Sequence, residues 1–290
     1  MNSSKRDVGK NIIRENRKIA LKKFLKNKMS VVGLVITLIF IVLAIAAKFI
    51  SYDSIYAISA RNRLMAPSVE HLFGTDSMGR DLFARTLSGI SISMEVGLLS
   101  AGIATIIGVL VGVLSAYYKV LDNIFMRLCE GLMAIPSILM AVSMMAALGA
   151  DTKNVIFSIA LVSMPGVAKN TRAVALSVIQ QTYIEAARAD GSQTMHIMLQ
   201  HVIPNSISPA IVQFTYLFAA SIAVEAALSF LGAGVPAPAP TLGNILYEAK
   251  DVFATAWWMV VLPGVSMICL VLGLNLLGDG LRDYLDPHAN

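Results

Sequence analysis

The sequence predicts an all-α fold: a polytopic membrane protein with six transmembrane helices and with its N- and C-termini on the cytoplasmic side. Three observations predict it. The composition is too apolar for water: of 290 residues, 56% are hydrophobic and 14% charged, with a mean hydropathy of +0.70, whereas an ordinary soluble domain carries about 25% charged residues. The apolar residues gather into runs of membrane-spanning length. The positive charge is concentrated ahead of the first run: residues 1–28 hold ten Lys and Arg against Asp7 and Glu15, a net +8, and residues 29–290 carry a net −3. This balance excludes a single water-soluble globule and a disordered chain. With two cysteines, it also excludes a disulfide scaffold. A basic tail before an apolar run is a topology signal, not a mark of nucleic-acid binding.

The elements follow in order. Residues 1–28 form the basic cytoplasmic tail. Met29–Ala47 is uncharged over 19 positions and is closed by Lys48; about 20 apolar residues cross a hydrocarbon core of about 30 Å. A signal peptide is the competing reading, but its apolar region is about 7–15 residues long, so residues 29–50 are assigned as a retained first transmembrane helix. Residues 51–89 form an extracytoplasmic loop. Residues 90–290 form the core, with the other five spans. These are Val96–Tyr118, Leu132–Ala150, Val155–Ala168 extended past Lys169 and Arg172 to Ile179, Ile207–Leu231 and Ala254–Gly278. Lipid leaves a lone apolar segment no state but helix, and the alternation of a membrane barrel is absent.

Orientation follows from the basic residues. Lys119, Arg127, Lys169, Arg172, Arg188 and Arg282 fall inside, and Lys153 and Lys250 outside. In loop 51–89, Arg61, Arg63, Arg80 and Arg85 are balanced by Asp53, Glu70, Asp76 and Asp81. Within the second span, Ser100, Ala104, Gly108, Gly112 and Ala116 recur every four residues and include a G-x-x-x-G. Such a stripe admits a close neighbour, either a helix of the same chain or a second subunit. Trp257 and Trp258 open the last span, where an aromatic belt would lie at the outer interface.

Catalytic chemistry is missing. The sole Gly-Lys pair, Gly9-Lys10, is followed by Asn11, so there is no phosphate-binding G-x-x-x-x-G-K-[ST]. His196 and His201 are five apart with no carboxylate between them, and His71 and His288 are isolated, which gives no metal motif and no base for a serine nucleophile. No pair of Asp lies inside the spans, Asp279 standing at the end of the last one. Cys129 and Cys269 read as small apolar fillers. No catalytic, metal or cofactor residue is assigned. Glu225 is the one clear intramembrane charge, with Glu95 and Glu130 near helix ends. It either lines a pore or hydrogen-bonds the irregular Gly/Pro loop 232–240. Met133, Met140 and Met144 share one face of the third span, as packing residues or as a flexible lining.

The polar stretch Gln180–Pro204 lies between two spans on the inner side. Tyr183, Ile184, Ala187, Met195, Ile197 and Met198 offer apolar faces, and Glu185, Arg188, Asp190, Gln193 and Gln200 polar ones. Gly191 divides it into two short helices, and Pro204 marks where the chain turns back into the membrane. It is either a membrane-surface connector or a docking knob for a cytoplasmic protein.

Glu185-Ala186-Ala187, with Gly191 four positions on and Pro204 thirteen beyond that, resembles the EAA loop of ABC importer permeases, E-A-A-x-x-x-G, nine residues, I-x-L-P. His201 stands at the Ile position and Ile203 at the Leu position. Gly74-Thr75-Asp76-Ser77-Met78-Gly79-Arg80-Asp81 with Arg85 is similar to the G-T-D-x-x-G-R-D signature of the dipeptide/oligopeptide/nickel permease family, C-type subunit. Ala134–Ser137, Leu228–Gly232, Val235–Pro240 and Leu277–Asp283 resemble that subunit too, so the likeness covers about residues 20–290.

The resemblance implies an ABC type I importer permease fold. The chain would form half of a heterodimeric pore with a B-type permease subunit in the cell membrane. Two cytoplasmic ATPase subunits and an extracytoplasmic substrate-binding protein would complete the importer. The cargo would be di- or oligopeptides or a related solute such as chelated nickel. It implies that loop 180–204 couples to the ATPases: Glu185 makes polar contacts, Ala186 and Ala187 permit close approach, Gly191 sets the bend and Pro204 ends the loop. Arg80 and Arg85 either meet a substrate carboxylate or pair locally and hold the Gly74 and Gly79 turns. The competing class is a stand-alone secondary transporter or channel.

Overall fold

The computed structural model describes residues 27–285; most of the basic tail lies outside the described residues. Among the described residues no β-strand forms, and a single antiparallel bridge joins Thr75 to Asp81. Helix α1 (Lys28–Ala47) starts where the Asn27 side chain accepts from the Met29 and Ser30 amides, meeting two of the amides a helix start leaves unpaired. After the short α2 (Tyr52–Tyr56) and an irregular segment comes α3 (Leu82–Tyr117), 36 residues long and about 54 Å at 1.5 Å per residue. It begins well before Val96 because Asp81 caps it, accepting from the Ala84 amide at 2.8 Å. Glu95 therefore stands inside this helix, exposed, and not near its end.

The third predicted span is not one straight helix. The apolar run Leu132–Ala150 straddles a 95° break between α4 (Lys119–Met133) and α5 (Ser137–Leu148). Pro136 has no amide to donate and pushes Ile135 out of the helical region. Met133 consequently shares no helix face with Met140 and Met144. Helix α6 (Thr152–Ile179) is followed by α7 (Thr182–Ala189) and α8 (Thr194–Ile197). A widened π turn, Met198–Val202, then leads into α9 (Ile203–Phe230). Helix α10 (Leu242–Ala249) and α11 (Trp258–Leu285) complete the order. The chain is helical from Thr194 to Phe230, so Pro204 marks no turn. It occupies the first turn of α9 directly after the π segment, where a missing amide is tolerated.

Among the described residues, four stretches are long and apolar enough to cross a membrane: Lys28–Ala47, Leu82–Tyr117, Thr194–Phe230 and Trp258–Leu285, with the bent α4–α5 pair as a fifth. Helix α6 has the length, 28 residues, but carries Lys153, Lys169 and Arg172. Helix α3 is the common neighbour in the packing. Gly108 and Gly112 face α6, and a Cβ on Gly112 would stand 2.6 Å from the Ala168 carbonyl oxygen. The small-residue stripe thus accepts a helix of the same chain, and its predicted close approach is what permits α3 and α6 to touch backbones. Helices α1 and α11 meet in the same way, Gly33 against Leu276 and Leu277, and Gly273 against Ile36. Phe40, Ala101, Phe218, Ile222, Leu270 and Leu274 fill the core between α1, α3, α9 and α11.

Candidate functional site

The inner loop has one anchored face and one free face. Ile184, Ile197, Met198 and Val202 are buried together with Val113 of α3 and Ala175 of α6. Their burial, at about 1.5–3 kcal/mol for each large side chain, fixes α7 and α8 to the bundle. Glu185 and Ala186 are exposed, Ala187 is half-buried, and Gly191 and Pro204 are exposed. Tyr183, Met195 and Leu199 are also open, at 45%, 56% and 59%, so the free face is mixed apolar and polar.

Helix α7 ends in a Schellman motif. The Ser192 amide donates to the Ala187 carbonyl and the Gly191 amide to the Arg188 carbonyl, both at 3.0 Å. Gly191 has φ +83°, a conformation an L side chain adopts only at a cost. A Cβ there would meet nothing within 4 Å. Gly191 is thus required by the bend and not by local crowding. Arg188 lies over the Tyr117 ring, 5.8 Å from its centroid. His201, the departure from the expected Ile, stacks edge-on with Tyr183 at 5.8 Å; the loop keeps a ring contact where an apolar one was expected.

The outer segment is built the opposite way. Asp76 is almost fully buried. Its Oδ1 accepts from the Met78 and Arg80 amides at 2.8 and 2.9 Å, and its Oδ2 accepts from Arg80 Nε at 2.6 Å. Glu248 of α10 closes the cluster. It accepts from Arg80 Nη2 at 2.6 Å and, through both oxygens, from Arg85 Nη2 at 3.1 Å. Arg85 Nε lies 3.3 Å from Asp76 Oδ2, but off hydrogen-bond direction, and Nη1 has no hydrogen-bond partner among the described residues.

Arg80 is 6% and Arg85 1% exposed, so both guanidinium groups are turned into the chain, against Asp76 and Glu248. Asp81 bridges His71 Nδ1, at 2.8 Å, and the start of α3. Gly79, at φ +76°, sits where a Cβ would fall 1.9 Å from the Ser59 carbonyl oxygen. Trp258 is buried and donates from Nε1 to the Thr75 carbonyl at 3.2 Å. Of the two tryptophans only Trp257 is exposed, so the expected aromatic belt is a single ring. Local pairing in loop 51–89 was legible from sequence; Glu248 was not, because it is 163 residues from Arg85 and no spacing links them.

Glu225 is fully buried in α9. It accepts from Ser93 Oγ at 2.9 Å and Ser229 Oγ at 2.7 Å. Ser93 Oγ in turn accepts from the Leu242 amide at 3.2 Å, and Asn244 Nδ2 donates to the Val235 and Ala239 carbonyls. The Glu225 carboxyl group thus joins α3 and α9 through Ser93 and Ser229, and Ser93 links on to the start of α10. Ser93, Ser229, Asn244 and Thr241, whose hydroxyl accepts from the Asn244 amide at 3.1 Å, were not foreseen; the signal available was a set of hydroxyl and amide residues flanking the Gly/Pro run. A further unforeseen pair joins α6 to α4, with Arg172 donating to both Asp122 oxygens at 2.5 and 2.6 Å. Cys129 is buried and Cys269 half-buried, both free thiols.

Sequence comparison matches residues 104–290 to the binding-protein-dependent transport system inner membrane component family, and residues 17–67 to the N-terminal TM domain of oligopeptide transport permease C. The dipeptide transport system permease protein DppC of Alkalihalophilus pseudofirmus is 40% identical over 269 residues, 92% of this chain and 88% of the relative. The glutathione transport system permease protein GsiD of Escherichia coli is 40% identical over 268 residues, with the same coverage. In structure, the chain resembles a chain of the inward-facing MetNI methionine ABC transporter. The TM-score is 0.57 at 22% identity, covering 71% of this chain and 96% of the other, a likeness of fold. With its family-wide match, its full-length relatives and a helical fold of that kind, this chain belongs to the family of binding-protein-dependent transport system inner membrane components, the ABC importer permeases.

Proposed function

We propose that this chain forms half of the translocation pore of an ATP-driven importer of di- or oligopeptides or a related solute. A B-type permease subunit would supply the other half. Two cytoplasmic ATPase subunits drive it, and an extracytoplasmic binding protein delivers cargo. In this reading α1, α3, the α4–α5 pair, α6, α9 and α11 make six crossings of the cell membrane, with both termini and loop 180–204 inside. Helix α6 crosses despite its charges because Arg172 is paired with Asp122 and long basic side chains reach the interface.

One observation carries the coupling role: helical structure runs from Thr194 in the loop to Phe230, past Glu225. A displacement at the free face of α7 and α8 is therefore transmitted along a stiff element to the outer loop that Glu225 holds. That loop can be biased between two states only if the ATPases contact the free face differently in each. Glu185 and Arg188 offer polar contacts there, Ala186 permits close approach, and Gly191 sets the angle between α7 and α8. The names of the relatives support peptide cargo.

The test is ATP-dependent uptake of a labelled dipeptide by the complete importer in proteoliposomes. Uptake that needs the ATPase subunits and is largely lost on Gly191→Val is expected. Uptake by this chain without ATPase subunits would overturn the proposal in favour of a secondary transporter.

A further inference from the structure

Between α4 and α6 lies a polar groove of about 350 Å³, lined by Asp122, Arg127, Glu130, Lys169 and Arg172 among others. Asp122 and Arg172 are spent on each other. Arg127 and Lys169 form no ion pair among the described residues and are exposed. Glu130 alone opposes them, so the groove offers a net cationic surface to a ligand.

Helix α4 adds a second feature. Val120, Ile124 and Leu128 are 71%, 51% and 59% exposed. At about 100° per residue they form one stripe, with the buried Cys129 on the side facing the bundle. Arg127 stands at the boundary between this apolar stripe and the polar groove. A helix with an open apolar face beside cationic side chains is built for a membrane interface.

We propose that the groove binds the phosphate of an anionic phospholipid of the inner leaflet. Arg127 and Lys169 hold the headgroup, and the acyl chains lie over Val120, Ile124 and Leu128. Charge and shape agree: basic pockets between spanning helices on the cytoplasmic side recognise anionic headgroups. The Asp122–Arg172 pair fixes the separation of α4 and α6 and so holds the groove open. The inference rests on the proposed orientation only in the choice of leaflet. Its test reads lipid binding and not transport, so either can fail without the other.

The experiment uses the full-length chain in neutral detergent. Native mass spectrometry and thermal melts are recorded with phosphatidylglycerol, phosphatidylcholine and inorganic phosphate. Phosphatidylglycerol should be retained and raise the melting temperature, phosphatidylcholine should do neither, and inorganic phosphate should compete weakly. Arg127→Gln with Lys169→Gln should weaken phosphatidylglycerol binding about thirtyfold, with an unchanged lipid-free melt. Arg127→Lys, which keeps the charge, should retain most of it. If the double variant does not fold, the single variants carry the same test at about fivefold each. Equal retention of both lipids would overturn the proposal. So would inorganic phosphate binding as tightly as the lipid, or a folded double variant that binds phosphatidylglycerol as tightly as the unaltered chain.

Discussion

The outer charge cluster and the inner loop are both polar insertions between apolar helices, and both carry a recognisable spacing of charged, glycine and small residues. They differ in where their polar groups end. At the outer end, Asp76, Arg80, Arg85 and Glu248 are consumed by one another. At the inner end, Ile184 and Ile197 are buried and Glu185 and Ala186 stay open. A cluster satisfied within its own chain positions elements; a loop anchored on one side and open on the other offers, in the function proposed, a face for another molecule. Signature residues alone do not separate the two roles, and their burial does.

Substitutions can break or sharpen this contrast. The largest effect is expected at Glu248→Ala, which takes both hydrogen bonds from the buried Arg85 and leaves Arg80 with Asp76 alone. Removing one partner of a buried ion pair costs about 3–5 kcal/mol, read as a lowered melting temperature of the purified chain. At the helix contact, Gly112→Leu should cost about 1–3 kcal/mol or more through overpacking against Ala168; an undisturbed melt would show that α3 and α6 can separate. Ser229→Ala should cost about 1–3 kcal/mol by leaving a Glu225 oxygen without its donor, and should raise proteolytic nicking of residues 231–241. Gly191→Ala forces a side chain into positive φ, at about 1–2 kcal/mol. Its larger consequence should be a reduced ratio of uptake to ATP hydrolysis. Smallest in stability is Glu185→Gln, within about 0.5 kcal/mol, since that side chain is exposed; the account expects its effect in ATPase stimulation instead.

Local chemistry was legible in the sequence, and long-range pairing was not. The uncharged run Met29–Ala47 differs from α1 by one residue because length and apolarity decide it, whereas the helix assigned as 29–50 runs three residues past the end of α1. The four-residue stripe from Ser100 to Ala116 announced a close helix contact, and Gly191 announced its bend, since only glycine enters that conformation cheaply. Leu132–Ala150 misled because hydropathy does not register the break that Pro136 imposes. Trp258 misled because an aromatic at a span's end is equally suited to an interface or to a buried hydrogen bond. Pro204 misled because a proline in a helix's first turn ends nothing. Glu248 and Ser93 meet their partners only once α10 and α3 are packed, and no periodicity carries that information.

The central claim is that the free face of α7 and α8 is a docking surface. Ala186→Arg tests it most directly, because this exposed position can accept a large side chain without disturbing the fold. Co-purification of the ATPase subunits with the Ala186→Arg chain is the measurement. The account predicts an unchanged melting temperature with the ATPases lost; an unchanged melt with the ATPases fully retained would contradict it.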